Sequence, residues 1–247
     1  MKCIRKLLAG VWLVACLPAW AEVDHIEVAK IRTELAANYF QRGQFEVALE
    51  ELNHALGAAG SFAPAYGLRA LIYTELRDYA TANEAFLRAL HYAGNDSDIN
   101  HNYGWFLCMR MNKPAESIKY FTAALQNPLY ASPARTQAVG AHCAVSAGKL
   151  ELAQDWISRA SRFNPNNTDL MLSQAEYALA GGDLISARRY LNRFNQASPQ
   201  TSTSLWLGVR LEHKAGDMPA RDKLARELKN AFTDSFEASL LAAGKFE

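Results

Sequence analysis

Beyond residue 21 the chain has no apolar run long enough to cross a bilayer as a helix. No sign of charge dominates either. Lys and Arg number 26 against 25 Asp and Glu, with no basic stripe along the sequence, so a nucleic-acid partner is not expected. Cysteine is scarce. Of four, Cys3 and Cys16 fall at the N-terminus, which leaves too few for a disulfide-dense scaffold and no Cys-x-x-Cys pair for a metal. Catalytic signatures are missing as well: there is no H-E-x-x-H helix, no G-x-S-x-G elbow and no phosphate loop. The six histidines are scattered, and Glu46, Glu50 and Glu51 read as a solvated helix face. An enzyme is not expected, nor a cofactor.

The first 21 residues stand apart. Lys2, Arg5 and Lys6 precede a short apolar core, Leu7 to Ala15, and small residues follow. This is the pattern of a secretory signal peptide. Ala19-Trp20-Ala21 before Glu22 suits ordinary cleavage, whereas Leu13-Val14-Ala15-Cys16 suits a lipobox, in which Cys16 would be acylated and the leader would be 1–15. Both processing routes remain open, and both place the protein outside the cytoplasm.

What is present in quantity is a repeat. Gly43, Arg77, Asn112, Gly148, Gly182 and Gly216 follow one another at steps of 34, 35, 36, 34 and 34 residues. A small residue stands about five positions after each: Ala48, Ala82, Ser117, Ala153, Ala187 and Ala220, the last only four on. A bulky apolar residue follows four later: Leu52, Phe86, Phe121, Ile157, Leu191 and Leu224. Small–large–small at this period is the tetratricopeptide signature of stacked helix hairpins. It predicts an all-α, right-handed solenoid of about six helix-turn-helix repeats over 29–232, with repeats near 29–62, 63–97, 98–133, 134–167, 168–201 and 202–232. A C-terminal tail, 233–247, follows. The irregular Asn112-Lys113-Pro114 turn should be distorted, and the sixth copy reads as a cap.

Cys108 and Cys143 lie one repeat apart near the ends of adjacent first helices. In an exported protein such a pair reads as a disulfide. Two buried free thiols, or a metal site with His101 and His142, are the alternatives.

A solenoid is a docking surface before it is anything else. Counted from the repeat starts above, the inward positions of the first helices expose an apolar strip of Phe40, Leu71, Phe106 and Met109, edged by Asn102, Arg110 and His142. Such a strip rimmed by polar groups marks a partner groove. On this reading, Phe106→Ala with Leu71→Ala would leave the melt unchanged and abolish partner binding.

The third repeat reads Asn102-Tyr-Gly-x-Phe-Leu-Cys108, and with RTELAANYFQRGQFEVALEEL near the start and Trp206-Leu207-Gly208 and LKNAFTDSFE near the end the chain resembles the PilF/PilW family of type IV pilus biogenesis proteins. The resemblance spans the mature chain. It implies a pilotin or assembly factor on the periplasmic face of the outer membrane, whose partner is the outer-membrane secretin and, beyond it, other pilus assembly proteins. It further implies a lipid on Cys16 and a Cys108–Cys143 bridge. The apolar Leu17-Pro18-Ala19-Trp20 stretch departs from the usual tether after a lipidated cysteine. A general periplasmic adaptor for another envelope or secretion complex is the competing function, and a non-catalytic regulatory module of an enzyme complex a third.

Overall fold

The computed structural model describes residues 24–246. The leader and Cys16 lie outside the described residues. Those residues form thirteen helices and no strand. Twelve pair as hairpins: α1 (His25–Gln41) with α2 (Phe45–Ala58), α3 (Ala63–Glu75) with α4 (Tyr79–Tyr92), and α5 (Ser97–Met109) with α6 (Pro114–Ala124). The remaining pairs are α7 (Pro133–Ser146) with α8 (Leu150–Phe163), α9 (Thr168–Ala180) with α10 (Leu184–Ala197), and α11 (Ser202–Ala215) with α12 (Met218–Ala231). Each first helix packs on the first helix of the next hairpin, and most second helices pack on the first helix that follows. Two layers therefore run the length of an all-α tetratricopeptide solenoid.

Within a hairpin the helices touch where a small residue of the first meets a large one of the second. Ala36, Ala70 and Ala175 share buried clusters with Leu52, Phe86 and Leu191. Gly104, Gly140 and Gly208 face Phe121, Trp156 and Leu224 so closely that a Cβ at Gly140 would sit 2.6 Å from the indole. Interiors at this density leave no slack for an added methyl. In the fourth hairpin the buried partner is Trp156, and Ile157, expected there from the spacing, is only half-buried.

All six residues picked from the sequence as turns adopt positive φ, from 51° at Asn112 to 81° at Gly182. Four are glycine. Arg77, at φ 61°, carries a Cβ into a region that disfavours one. Arg77→Gly is expected to stabilise the fold by roughly 0.5–1 kcal/mol, visible as a melting temperature a few degrees higher.

The third hairpin is one residue longer than the others. Sixteen residues separate the small from the large partner in five hairpins, but seventeen separate Gly104 from Phe121. The extra residue is absorbed at Arg110–Lys113, where Lys113 N–H reaches back to the carbonyl of Leu107. Counting from the repeat start therefore misplaces the mid-helix inward position of α5 by one.

The C-terminal segment is not a free tail. Residues 236–242 form α13 (Phe236–Ala242), and Leu240, Leu241 and Phe246 cover Leu205, Trp206, Val209 and Leu228 at the open end of the stack. The array curves enough that the second-hairpin turn, Thr74–Tyr79, bounds the same cleft as residues 231–237. The first helices form its inner wall.

Candidate partner groove

On that inner wall Trp105, Met109, Val139, His142 and Leu172 line a cleft of about 270 Å³, to which Phe194 of the second helix α10 also contributes. Its rim carries Thr168, Asp169, Ser198, Thr201 and Thr203. A second, polar cleft of about 480 Å³ is lined by Arg110 and Ser202, the sequence neighbours of Met109 and of Thr201 and Thr203, and lies between the second-hairpin turn and the cap. An apolar hollow with a few convergent polar groups is the form a ligand site takes.

The residues expected in the groove divide. Met109 and His142 line the apolar cleft, and exposed Arg110 lines the polar one with its guanidinium 5.0 Å from the centre of the Trp105 ring. Phe40 is half-buried against Phe45, its ring centre 5.9 Å away, and Leu71 is half-buried on the core of the second and third hairpins. Neither lines the cleft. Asn102 is half-buried and lines neither cleft. Phe106 is a correction: it is fully buried, its ring centre 5.2 Å from that of Phe86. The residue taken inward is Trp105, one position earlier, because the extra residue of the third hairpin lies between Leu107 and Lys113, whose N–H reaches back six residues where the residue after the turn in the other hairpins reaches back five.

Sequence spacing also missed the charged network behind the cleft. His142 Nδ1 meets Glu176 at 2.6 Å, and Arg210 donates to the other Glu176 oxygen at 2.7 Å, so one carboxylate ties α7, α9 and α11 together. From the cap, Glu237 accepts from the Thr203 hydroxyl at 2.7 Å. Burial alone would raise the Glu176 pKa, but His142 and Arg210 overcome it and hold the group at about 2. Burial alone would lower His142; Glu176 outweighs it and lifts the imidazole above its ordinary 6.5. His101 behaves oppositely. Buried, with Nδ1 2.9 Å from the Thr136 hydroxyl and repelled by Arg135, it falls to about 4.

These shifts fix a stability profile. A depressed His101 pKa means its contribution is complete above 6.5 and lost as the pH falls towards 4. A raised His142 pKa means its contribution is complete below 6.5 and lost as the pH rises through the folded value. Glu176 contributes above 4.5 and loses its effect towards 2. The melting temperature should therefore peak near pH 6.5, and His142→Gln should remove the decline on the alkaline side. Melts across a pH series check both.

Cys108 on α5 and Cys143 on α7 have Cα atoms 6.0 Å apart, with the sulfurs placed at bonding distance. His101 and His142 point to different partners, and among the described residues no three His, Cys, Asp or Glu side chains gather as a metal site.

Six stacked hairpins of nearly equal length, a small-to-large contact in each and a covered C-terminal end give the described residues the fold of a tetratricopeptide solenoid, and the family model Tetratricopeptide repeat matches residues 63–96. More particularly, the chain is homologous to the type IV pilus assembly protein PilF of Pseudomonas aeruginosa, 26% identical over 96% of each chain. An uncharacterized protein of Haemophilus influenzae is 28% identical over 66% of this chain and 98% of its own length. Among solved structures, PilW, a type IV pilus biogenesis factor, superposes with a TM-score of 0.70 at 28% identity, covering 87% of this chain and 99% of its own. PilF of Pseudomonas aeruginosa superposes at 0.66 and 25% identity, covering 89% and 99%.

Proposed function

We propose that this chain is a non-enzymatic scaffold of type IV pilus biogenesis. It works in the periplasm at the inner leaflet of the outer membrane, where its inner groove holds a segment of the secretin. The observation that carries this reading is the correspondence with PilF over 96% of both chains, far more than a single generic repeat. The Trp105–Met109 cleft supplies the contact surface: an apolar hollow for one or two side chains of an extended segment, with Arg110 and the hydroxyls of Thr201 and Thr203 to orient it. Deleting the gene should abolish surface pili and reduce assembled secretin in the envelope. Intact pili in the deletion strain would leave the scaffold to another envelope complex.

Two further expectations belong to this reading. Cys16, acylated, anchors the scaffold, and mass spectrometry of the mature N-terminus should find a lipid-bearing Cys16 rather than a free Glu22. Cys108 and Cys143 are oxidised in the exported protein and clamp the third hairpin to the fourth beside the cleft. The enclosed loop of 35 residues makes the bond worth on the order of 4 kcal/mol. A reducing agent should therefore lower the melting temperature by several degrees. An unchanged melt would mean the thiols are free.

A further inference from the structure

The balanced composition conceals a segregation of charge. Among the second helices, which form the outer layer, α2 holds Glu46, Glu50 and Glu51 and no Lys or Arg. At the other end, α10 and α12 together hold seven basic residues against two acidic ones, and α10 holds no acidic residue at all. The absence of a basic stripe along the sequence thus does not carry over to the folded surface.

Part of this charge is already engaged. Arg188 makes a two-pronged contact with the buried Glu212, and Arg193 reaches the Pro165 carbonyl. Arg221 is tied to Asp222. The cations left outward are Arg189, Lys223, Arg226 and Lys229, of which Lys223 is 73% exposed and touches Glu227 only at 4.0 Å. Ile185 lies on the same face of α10 as Arg189 and Arg193 and is 84% exposed. Asp183 and Asp217 accept backbone N–H groups at the helix starts, at the turn edge of the patch.

We propose that the outer face of α10 and α12 docks on an anionic phospholipid surface. A multiply cationic outer surface with a protruding aliphatic side chain matches such a surface in both respects: the cations meet headgroup phosphates and Ile185 enters the interfacial layer. A folded acidic protein would also attract the cations. It would not call for an isolated isoleucine nearly as exposed as in the unfolded chain. Docked by its outer layer, the scaffold presents its groove away from the bilayer, whether or not a lipid is attached at Cys16.

The test uses the exported protein carrying Cys16→Ser, so that no acyl chain contributes, in co-sedimentation with vesicles. Phosphatidylglycerol-containing phosphatidylethanolamine vesicles should retain it, pure phosphatidylcholine vesicles should not, and high salt should release it. Reversing three cations, Arg189→Glu with Lys223→Glu and Arg226→Glu, should weaken binding by about a hundredfold or more. Ile185→Ser should weaken it several-fold. Because all four side chains are exposed, the melts should match that of the parent. Equal retention on both vesicle types, or a charge-reversed variant that binds like the parent, would overturn the proposal. So would capture by duplex DNA without capture by anionic vesicles.

Discussion

Phe106→Ala should lower the melting temperature by roughly 10 °C or more, at a cost of about 3–5 kcal/mol. The ring is fully buried, with Phe86, Tyr103 and Tyr79 around it at centroid distances of 5.2, 6.2 and 6.1 Å. Removing it opens a cavity among aromatic rings that cannot collapse into the space. The groove reading of the same residue predicts a different result, an unchanged melt with lost binding. Thermal unfolding of the single variant separates the two. A drop of only a degree or two would return Phe106 to the groove.

Glu176→Ala should be comparably damaging, at about 3–5 kcal/mol, for an electrostatic reason. The carboxylate is buried and is the shared partner of His142 and Arg210, whose side chains are only 17% and 19% exposed. Truncating it strands two cationic groups behind the cleft, one of which, Arg210, already has an unpartnered Nε. His142 would then titrate below its ordinary value, since burial and the Arg210 charge lower it and only the weaker pull of Glu237 is left against them. Replacing all three by apolar residues of similar size should recover most of the loss, because an unpaired buried charge costs more than a missing pair. Denaturant melts of the single and triple variants, compared at pH 6.5, test this. Equal stability of Glu176→Ala and the parent would show the network to be solvated.

The sequence made the array legible because its period is written in residues with strong local requirements. Glycine at a left-handed turn and a small residue opposite a large one can be counted without coordinates, and all six turns chosen that way have positive φ. The cap was not legible. Residues 236–242 are short and weakly patterned, and they fold as α13 only because Leu205, Trp206 and Val209 need cover. The groove was legible only in part, for a geometric reason. One residue inserted between Gly104 and the Asn112 turn shifts the inward register of α5, exchanging Trp105 for Phe106. The His142–Glu176–Arg210 network was invisible for another reason: its members are 34 residues apart in sequence and look like ordinary surface charges until the repeats are stacked. The outer basic face was hidden by a total charge near zero.

The most direct test of the scaffold reading is capture of the secretin from envelope extracts by the parent and by Trp105→Ala with Met109→Ala, each with its thermal melt. The account predicts that the parent retains the secretin and the double variant loses it, while the variant melts within a few degrees of the parent and far above Phe106→Ala. Secretin held equally by parent and variant would contradict the groove. Secretin held by neither would contradict the partner itself.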